Sequence, residues 1–229
     1  MQAADLKSLE AAYQSVMQRA EAAAAGRAIR VLAVGKGKPA AALRALATLG
    51  QRAFGENYVQ EALAKQQEFA EPSIEWHLIG PLQSNKCREA ALHFDWLQTL
   101  DRPKLIAPLD RARAALPTPL EVLVQVNIDD EPNKSGCAPA EVPALAAAIA
   151  ETAHLRLRGL MAIPAPSAEF GRRAAAFARM RELFERLRDT HAAADTLSMG
   201  MSDDFELAIR EGATMVRVGS LLFGARNPR

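Results

Sequence analysis

Short apolar runs alternate with stretches of helical spacing along most of the chain. Eight runs are rich in aliphatic and aromatic residues, and many stop at glycine or a polar residue, which is typical of buried β-strands bounded by turns. In chain order they are VLAVG (31–35), RAFG (52–55), EWHLIG (75–80), FDWLQT (94–99), LEVLVQVNI (120–128), LRLRGLMAI (155–163), TLSMG (196–200) and MVRVG (215–219).

The stretches between these runs place apolar residues at helical intervals, and several begin near Ser, Asp or Pro or end in Gly, as helix caps do. A further amphipathic helix is predicted at the N-terminus. The predicted helices cover residues 4–25, 40–50, 59–70, 84–93, 102–116, 139–152, 172–190 and 203–212. Regular alternation of this kind predicts parallel strands joined by crossover helices.

The eight strands predict an α/β protein with a single (β/α)8 TIM-type barrel. An open doubly wound sheet fits less well, because no nucleotide-type glycine loop follows the first strand. Only SLLFGARNPR follows the last strand, so the N-terminal helix is expected to fill the gap in the outer ring of helices. No linker or low-complexity tract interrupts the pattern, and residues 1–229 are expected to form one domain.

The charge balance argues against two classes of partner. With 28 basic and 27 acidic residues the net charge is +1, so no field favours nucleic acid or an anionic membrane. Two cysteines, Cys87 and Cys137, give no disulfide framework and indicate a reducing compartment. The charged N-terminal segment lacks an apolar signal core, and no stretch is long and apolar enough to span a bilayer. The sequence therefore predicts a cytoplasmic protein.

In a parallel barrel the carboxyl ends of the strands form the active face. Polar and glycine residues collect at these positions, whereas the strands themselves are aliphatic, and this distribution indicates a ligand site. The residues are Lys36, Asn57, Gly80 to Asn85, Asn127, Met161, residues 198–202, Arg217, Gly219 and Ser220. The four histidines show no metal-ligand spacing, so no metal site is predicted.

The last two strand ends predict a phosphate site. Gly200 and Ser202 form a turn before a helix that starts near Asp203, and Gly219 and Ser220 follow the eighth strand. Backbone N–H groups and hydroxyls at a helix start bind phosphate, and barrels of this type use this location for it.

A lysine at the first strand end adds a second kind of chemistry. Together with a phosphate site, Lys36 predicts a phosphorylated aldehyde held as a Schiff base, which requires an unprotonated amine. Burial and neighbouring cations favour that form, and Lys38 and Arg217, across the barrel mouth, are the candidate cations. A Schiff-base aldolase acting on a phosphorylated sugar fits the same features, although its lysine usually lies on a later strand.

Each of these residues also has a structural interpretation. Lys36 fits a barrel lysine paired with a carboxylate, and Arg217 fits an internal salt bridge. Ser202 fits an N-cap for the helix over residues 203–212, a role that is compatible with phosphate binding. His77 is interpreted as a core histidine with satisfied hydrogen bonds. On chemistry alone these alternatives remain open.

Longer blocks of the sequence resemble one family. They are LAVGKGKP, GQRAFGENYVQEAL, EWHLIGPLQSNK, VQVNIDDEPNKSGC, LRLRGLMAIPAP and LSMGMSDDFELAIREGATMVRVGSLLFGAR, in order from about residue 30 to residue 226. These blocks are similar to those of the pyridoxal phosphate homeostasis proteins, which are small, barrel-only relatives of the alanine racemase N-terminal domain. The resemblance implies a fold type III barrel that binds pyridoxal 5′-phosphate (PLP).

The resemblance also implies residue roles. Lys36 resembles the lysine that holds PLP as a covalent internal aldimine, and Asn57 resembles the asparagine near the cofactor ring. Arg217 resembles the arginine that faces the pyridine nitrogen. Because an arginine there disfavours protonation of that nitrogen, the ring is expected to be a weaker electron sink.

The remaining implied cofactor-binding residues form the phosphate cradle. Ser202, Gly219 and Ser220 resemble the family's phosphate-binding positions, and Met201 is expected close by. The position of Ser220 is commonly threonine in the family, a change that keeps the hydroxyl.

Three further positions carry weaker expectations. Gly35 and Gly37 stand where the family usually has Ser and Thr, so two hydroxyls near the cofactor are missing. Lys134 fits either a solvated loop lysine or a transient PLP contact, and Cys137 fits either an ordinary small residue or a reactive loop thiol.

The resemblance implies a role in storing, buffering or delivering PLP inside the cell, without a substrate reaction and with no catalytic residue. Racemases of this type add a C-terminal domain that supplies a tyrosine base. The two tyrosines of this chain, Tyr13 in the first helix and Tyr58 in GENY, do not lie where a base from such a domain would come from. A weak PLP-dependent racemase is the alternative. PLP-dependent apo-enzymes are the expected acceptors, and a monomer is expected because no exposed apolar face stands out.

Overall fold

The strands lie side by side in the order of the sequence and close into a barrel. The computed structural model describes residues 3–69, 73–132, 134–165 and 169–224. All eight predicted runs contain a strand, and most strands are shorter than the run because the polar and glycine residues at its end belong to loops. The strands are β1 (Arg30–Val34), β2 (Ala53–Glu56), β3 (Glu75–Leu78), β4 (Trp96–Leu100), β5 (Leu120–Val126), β6 (Leu155–Ala162), β7 (Thr196–Ser198) and β8 (Met215–Val218).

Every neighbouring pair of strands is parallel, including the pair of β8 with β1 that closes the barrel. In this closing pair Val31 lies beside Val216, and Leu32 lies beside Arg217. Parallel strands of one closed sheet bring all their carboxyl ends to the same face. The predicted TIM-type barrel is therefore confirmed, and the strand ends meet at its mouth.

Helices follow the strands and cover the outside of the barrel. They are α1 (Ala3–Ala24), α2 (Ala40–Thr48), α3 (Val59–Glu68), α4 (Cys87–His93), α5 (Ile106–Arg113), α6 (Val142–Ala150), α7 (Phe170–Thr190), α8 (Phe205–Arg210) and α9 (Ser220–Phe223). The N-terminal helix α1 packs against α2, α8 and the short α9, and Arg19 pairs with Glu206 of α8 at 2.7 Å. It thus fills the gap in the outer ring, as predicted. Among the described residues, no helix is long and apolar enough to cross a membrane.

Side chains alternate between the barrel interior and the helix layer, because successive residues of a strand face opposite sides. In β1, Val31 and Ala33 pack in the large core under the helices, whereas Leu32 packs in a separate cluster inside the barrel. The interior clusters consist of Leu32, Ala53, Ile79 and Met215, and of Trp96, Leu123 and Met161. Residues in phase with Leu32 also face inward, and this places Val34 at the mouth.

Candidate functional site

A cavity of about 330 Å³ opens at the mouth of the barrel. It contains all seven residues that the sequence assigned to cofactor binding, brought together from the ends of β1, β2, β7 and β8. Its volume lies within the range of about 300 to 1,000 Å³ that is typical of small-molecule sites. The lining residues are Val34, Lys36, Lys38, Asn57, Ile79, Ile163, Met201, Ser202, Asp203, Arg217, Gly219, Ser220 and Gly224.

The aliphatic part of this lining was not predicted from the sequence. Val34, Ile79 and Ile163 line the cavity at or just beyond the ends of β1, β3 and β6. The alternation of side chains along a strand would have identified Val34, since it is in phase with an interior residue. These three side chains give the cavity an apolar surface suited to a flat ring.

Lys36 lies in the turn that follows β1. The turn is closed by a hydrogen bond from Lys38 N to Gly35 O at 2.9 Å, and Gly37 has a φ of 71°, which favours glycine. Lys36 is partly exposed, and its Nζ lies 5.2 Å from the centre of the Tyr58 ring. Tyr58, which is not expected to take the place of a second-domain tyrosine base, thus has its ring beside this lysine.

An ionic cluster on α3 and β2 holds the backbone on both sides of Lys36. Lys65 Nζ donates to Gly35 O at 2.7 Å, and Glu61 Oε1 accepts a hydrogen bond from Gly37 N at 2.6 Å. Lys65 also pairs with Glu61 at 2.8 Å and with Glu56 at 2.7 Å. These three side chains were not among the site residues predicted from the sequence, although the spacing of Glu61 and Lys65 is a recognised helical pairing signal.

Glu56 is the most deeply buried acid of this cluster. Its side chain is fully buried, and its Oε2 has no hydrogen-bond partner among the described residues. Burial raises the pKa of Glu56 to about 7, although the hydrogen bond and charge of Lys65 act in the opposite direction. A Cβ atom at Gly35 would collide with Glu56 Oε1. Glycine at this position is therefore matched to the placement of Glu56.

The amine of Lys38 contacts the end of the last helix of the barrel. Its Nζ donates to the backbone oxygens of Phe223 at 2.8 Å and Gly224 at 3.2 Å, at the end of α9. Lys38 also lines the cavity, so it is a neighbouring cation of Lys36, as predicted. Its two carbonyl contacts join the Lys36 turn to the last helix of the barrel.

Arg217 lies deeper in the barrel than Lys36 and is 4% exposed. Nη1 donates to Ser198 Oγ at 2.8 Å and Nη2 donates to Ala162 O at 2.9 Å. Burial lowers the pKa of Arg217 to about 10, so the guanidinium remains charged at neutral pH. Both acceptors are uncharged, so these contacts are not the internal salt bridge that the structural interpretation of Arg217 predicts. Arg217 also lies on the strand beside β1 rather than across the mouth from Lys36.

The predicted phosphate-binding residues form one edge of the cavity. Gly219 N donates to Ser202 Oγ at 3.3 Å, and Ser220 begins α9, where the first N–H groups have no partner within the helix. A Cβ atom at Gly219 would lie 3.3 Å from both Cβ and O of Val34, closer than ordinary packing allows. Hydroxyls and backbone N–H groups thus converge beside the Lys36 turn, which is the donor set that an anion requires.

The N-cap interpretation of Ser202 is wrong. Helix α8 begins at Phe205, and Asp204 occupies its N-cap position, where its Oδ1 accepts a hydrogen bond from Met201 N at 2.8 Å. Ser202 is instead bound to Gly219, and Met201 lies at the rim with 43% of its surface exposed.

Other candidates from the strand ends serve the scaffold. Asn127 holds its own loop through hydrogen bonds with the backbone of Glu131, and Met161 is fully buried inside the barrel. Lys134 pairs with Glu131. Burial raises the pKa of Cys137 to about 12, so the reactive-thiol interpretation of this buried residue is wrong.

The fold and the site together define a class of protein. A family model described as "Alanine racemase, N-terminal domain" matches residues 4–227. The chain is thus a parallel barrel of that type, with a lysine after β1 and a group of hydrogen-bond donors after β7 and β8.

Curated relatives identify the family within this class. The pyridoxal phosphate homeostasis protein of Pseudomonas aeruginosa is 55% identical over 212 residues, which cover 91% of this chain and 91% of that protein. The protein of the same name from Escherichia coli K12 is 52% identical over 202 residues, which cover 87% of this chain and 86% of that protein. The chain belongs to the pyridoxal phosphate homeostasis protein family.

Solved structures agree with this assignment. PipY from Synechococcus elongatus PCC7942 is 38% identical and matches over 94% of this chain and 100% of its own, with a TM-score of 0.87 without PLP and 0.82 with PLP bound. Alanine racemase from Corynebacterium glutamicum, at 18% identity and a TM-score of 0.70, shares the fold, and the match covers 61% of that chain.

Proposed function

We propose that this chain binds PLP as a Schiff base on Lys36 and acts in intracellular PLP homeostasis by storing, buffering or delivering the cofactor, without a substrate reaction of its own. One observation carries the proposal. Lys36 lines the same small cavity as Ser202, Gly219 and Ser220. PLP has an aldehyde and a phosphate-bearing methylene group on adjacent ring carbons, so it needs an amine and a set of hydrogen-bond donors close together.

The rest of the lining fits the same molecule. The aliphatic side chains of Val34, Ile79 and Ile163 suit the two faces of a pyridine ring, and Asn57 offers a polar contact near its edge. When bound, PLP supplies an electron-withdrawing ring. Arg217 remains charged at neutral pH and would disfavour a proton on the ring nitrogen, which weakens that ring as an electron sink. This supports a carrier more than an enzyme.

Delivery of a cofactor requires that it can leave. Lys36 is partly exposed, and the cavity opens at the face where Met201 and Tyr58 are exposed. Water can therefore reach a Schiff base on Lys36 and hydrolyse it, which releases PLP. A fully enclosed cofactor would lack this route.

The visible absorption spectrum of purified protein mixed with PLP tests the proposal. We expect a yellow band in the parent, loss of the band in Lys36→Ala, and its retention in Lys104→Ala, which removes an exposed lysine that does not line the cavity. Lys38→Ala identifies which of the two lysines in the cavity reacts, and we expect the band to persist. Absence of the band from folded parent protein would overturn the PLP proposal.

A weak PLP-dependent racemase is the second candidate, and one contact favours it. The Tyr58 ring lies beside Lys36 Nζ, so a second proton-transfer group is near the lysine. Loss of the α-deuterium from labelled L-alanine would reveal this activity, and Tyr58→Phe would show whether the hydroxyl takes part. We expect no exchange above that of free PLP.

We further propose that the whole chain works as one domain, as a monomer in the cytoplasm, with PLP-dependent apo-enzymes as acceptors. The site supports the single domain, because β1 and β8 both contribute to it. Sedimentation velocity checks the oligomeric state. Mixing the loaded protein with a purified apo-enzyme and measuring the recovered activity checks delivery, with an equal concentration of free PLP as the reference.

A further inference from the structure

A line of buried polar side chains crosses the barrel interior behind Arg217. From the mouth toward the opposite end it runs through Ser198, Gln98 and His77, each fully buried, and ends at Glu75. Buried polar groups are costly unless their hydrogen bonds are made. A continuous line of buried polar side chains in a mostly apolar interior therefore indicates that these side chains have a role beyond filling the core.

The hydrogen bonds of this line all have one direction. A guanidinium only donates, so Ser198 accepts from Arg217 and its own hydroxyl donates to Gln98 Oε1 at 2.7 Å. The amide of Gln98 then donates from Nε2 to His77 Nδ1 at 3.0 Å. The proton of His77 is thereby placed on Nε2, where it faces Glu75.

The ends of the line are charged and its middle is neutral. Burial lowers the pKa of His77, so the imidazole is uncharged at neutral pH. Burial raises the pKa of Glu75, but the hydrogen bonds from His77 and Arg30 and the charge of Arg30 outweigh this and hold the pKa below its ordinary value. Aligned dipoles between a cation and an anion strengthen one another.

The neutral state of His77 is required by the order of donors. A proton on Nδ1 would face the Gln98 amide group, which would have to turn round. Ser198 would then face donors on both sides and would have no acceptor for its own proton. Stacking of the imidazole on Trp96, with ring centres 5.2 Å apart and planes inclined by 15°, also fixes its orientation.

We propose that Ser198, Gln98, His77 and Glu75 are positioning residues that hold the guanidinium of Arg217 in one place beneath the cavity. The proposal rests on the proposed function, in which Arg217 faces the ring nitrogen of PLP. The hydrogen bond to Ala162 O fixes Nη2, and the line fixes Nη1. The cofactor ring then meets a cation that does not move when PLP enters or leaves.

Histidine nitrogen NMR of PLP-free protein tests the line without the cofactor, and the chain has four histidines to resolve. We expect His77 to carry its proton on Nε2 and to stay neutral across about pH 7 to 8. Ser198→Ala and Arg217→Met should both shift the His77 ring nitrogen resonances. Thr196→Val is the matched control, because Thr196 is a buried residue of the same strand and in phase with Ser198 but bonds to Asp195 instead. It should leave them unchanged.

A pH titration of the visible band in PLP-loaded protein tests the effect on the site. In Ser198→Ala the band should persist, and its pH midpoint should rise by about 0.5 to 1 unit, because a less fixed cation opposes a nearby positive charge less strongly. Ser198→Cys, nearly isosteric and with a weak donor, should give a smaller rise and keeps the test usable if Ser198→Ala is unstable. Thr196→Val should titrate like the parent.

The outcomes separate this inference from the proposed function. Absence of a visible band from the parent protein overturns the PLP proposal. In that case the His77 spectra still test whether the line of hydrogen bonds to Arg217 exists. The inference is overturned if His77 is charged or carries its proton on Nδ1. It is also overturned if neither Ser198→Ala nor Arg217→Met shifts the His77 resonances. An unchanged pH midpoint in Ser198→Ala, when the parent binds PLP, overturns it as well.

Discussion

Lys36 and Arg217 line one cavity from neighbouring strands, yet the groups behind them differ in kind. Behind Lys36 lies an ionic cluster in which Lys65 pairs with two acids, and one of these acids, Glu56, has its pKa raised by burial to about 7. Behind Arg217 lies a line of uncharged hydrogen-bonding side chains. The first support changes its charge near neutral pH and the second keeps its charge.

This difference assigns the change of charge among the supporting groups near neutral pH to the Lys36 side. Protonation of Glu56 weakens its pairing with Lys65, which also holds Gly35 O beside Lys36. Around Arg217, His77 is neutral at neutral pH because burial lowers its pKa, and Glu75 is ionised. Four substitutions can break or sharpen the comparison.

Lys65→Met should have the largest effect. Removing one partner of a buried ion pair leaves Glu56 without its counter-charge, and we expect the free energy of unfolding to fall by about 3 to 5 kcal/mol at about pH 8. The loss should be smaller at about pH 5, because a protonated Glu56 is neutral. Urea unfolding at both pH values measures this. Lys104→Met, at an exposed position, should change the value by less than about 0.5 kcal/mol. Equal losses at the two pH values would contradict the assignment of Glu56.

Ser198→Ala should come next, with a loss of about 1 to 3 kcal/mol, because it leaves Arg217 and Gln98 each without a hydrogen-bond partner. In contrast to Lys65→Met, the loss should be the same at about pH 7 and about pH 8, since His77 is neutral and Glu75 is ionised over that window. The same urea experiment at these two pH values measures it, beside Thr196→Val. A loss that changes with pH would show that the line does titrate.

Glu56→Gln should alter mainly the slope of stability against pH. The pKa of Glu56 is raised in the folded protein, so its contribution to stability is complete below the ordinary value of 4.5 and is lost as the pH rises through about 7. The free energy of unfolding of the parent should therefore decline over this window more steeply than that of Glu56→Gln, by about 1 kcal/mol or more. Thermal unfolding followed across the window compares the two slopes, and parallel curves would exclude Glu56 as the titrating group.

Lys38→Met should have the smallest effect. It removes the hydrogen bonds to the carbonyls of Phe223 and Gly224, for an expected loss of about 0.5 to 1.5 kcal/mol. Hydrogen exchange of the α9 amides should increase in this variant while the amides of β3 and β4 stay protected. Unchanged exchange in α9 would show that Lys38 does not hold the last helix.

The barrel could be predicted from the sequence because strands and helices show as local, periodic patterns of apolar residues. Each apolar run could be read as a buried strand, and a strand end such as Lys36 or Arg217 could be assigned to the mouth from the parallel topology alone. The seven predicted site residues do line one cavity for this reason. The position of the N-terminal helix followed from the missing length after β8.

The supporting contacts could not be predicted in the same way. Gln98 and Ser198 look like isolated polar residues in apolar strands, and only the barrel places them 2.7 Å apart. The helical spacing of Glu61 and Lys65 predicts their pairing but not the hydrogen bond of Lys65 to Gly35 O. Such contacts depend on which side chains face each other across the interior, which a single sequence does not encode locally.

The closing pair of β8 with β1 has a consequence for synthesis on the ribosome. Lys36 emerges early, whereas Arg217, Gly219 and Ser220 belong to β8 and α9 and emerge much later. A nascent chain therefore displays Lys36 without the other side of its cavity, and pairing across so long a separation is slow. Cofactor capture should begin only after β8 has emerged and paired with β1.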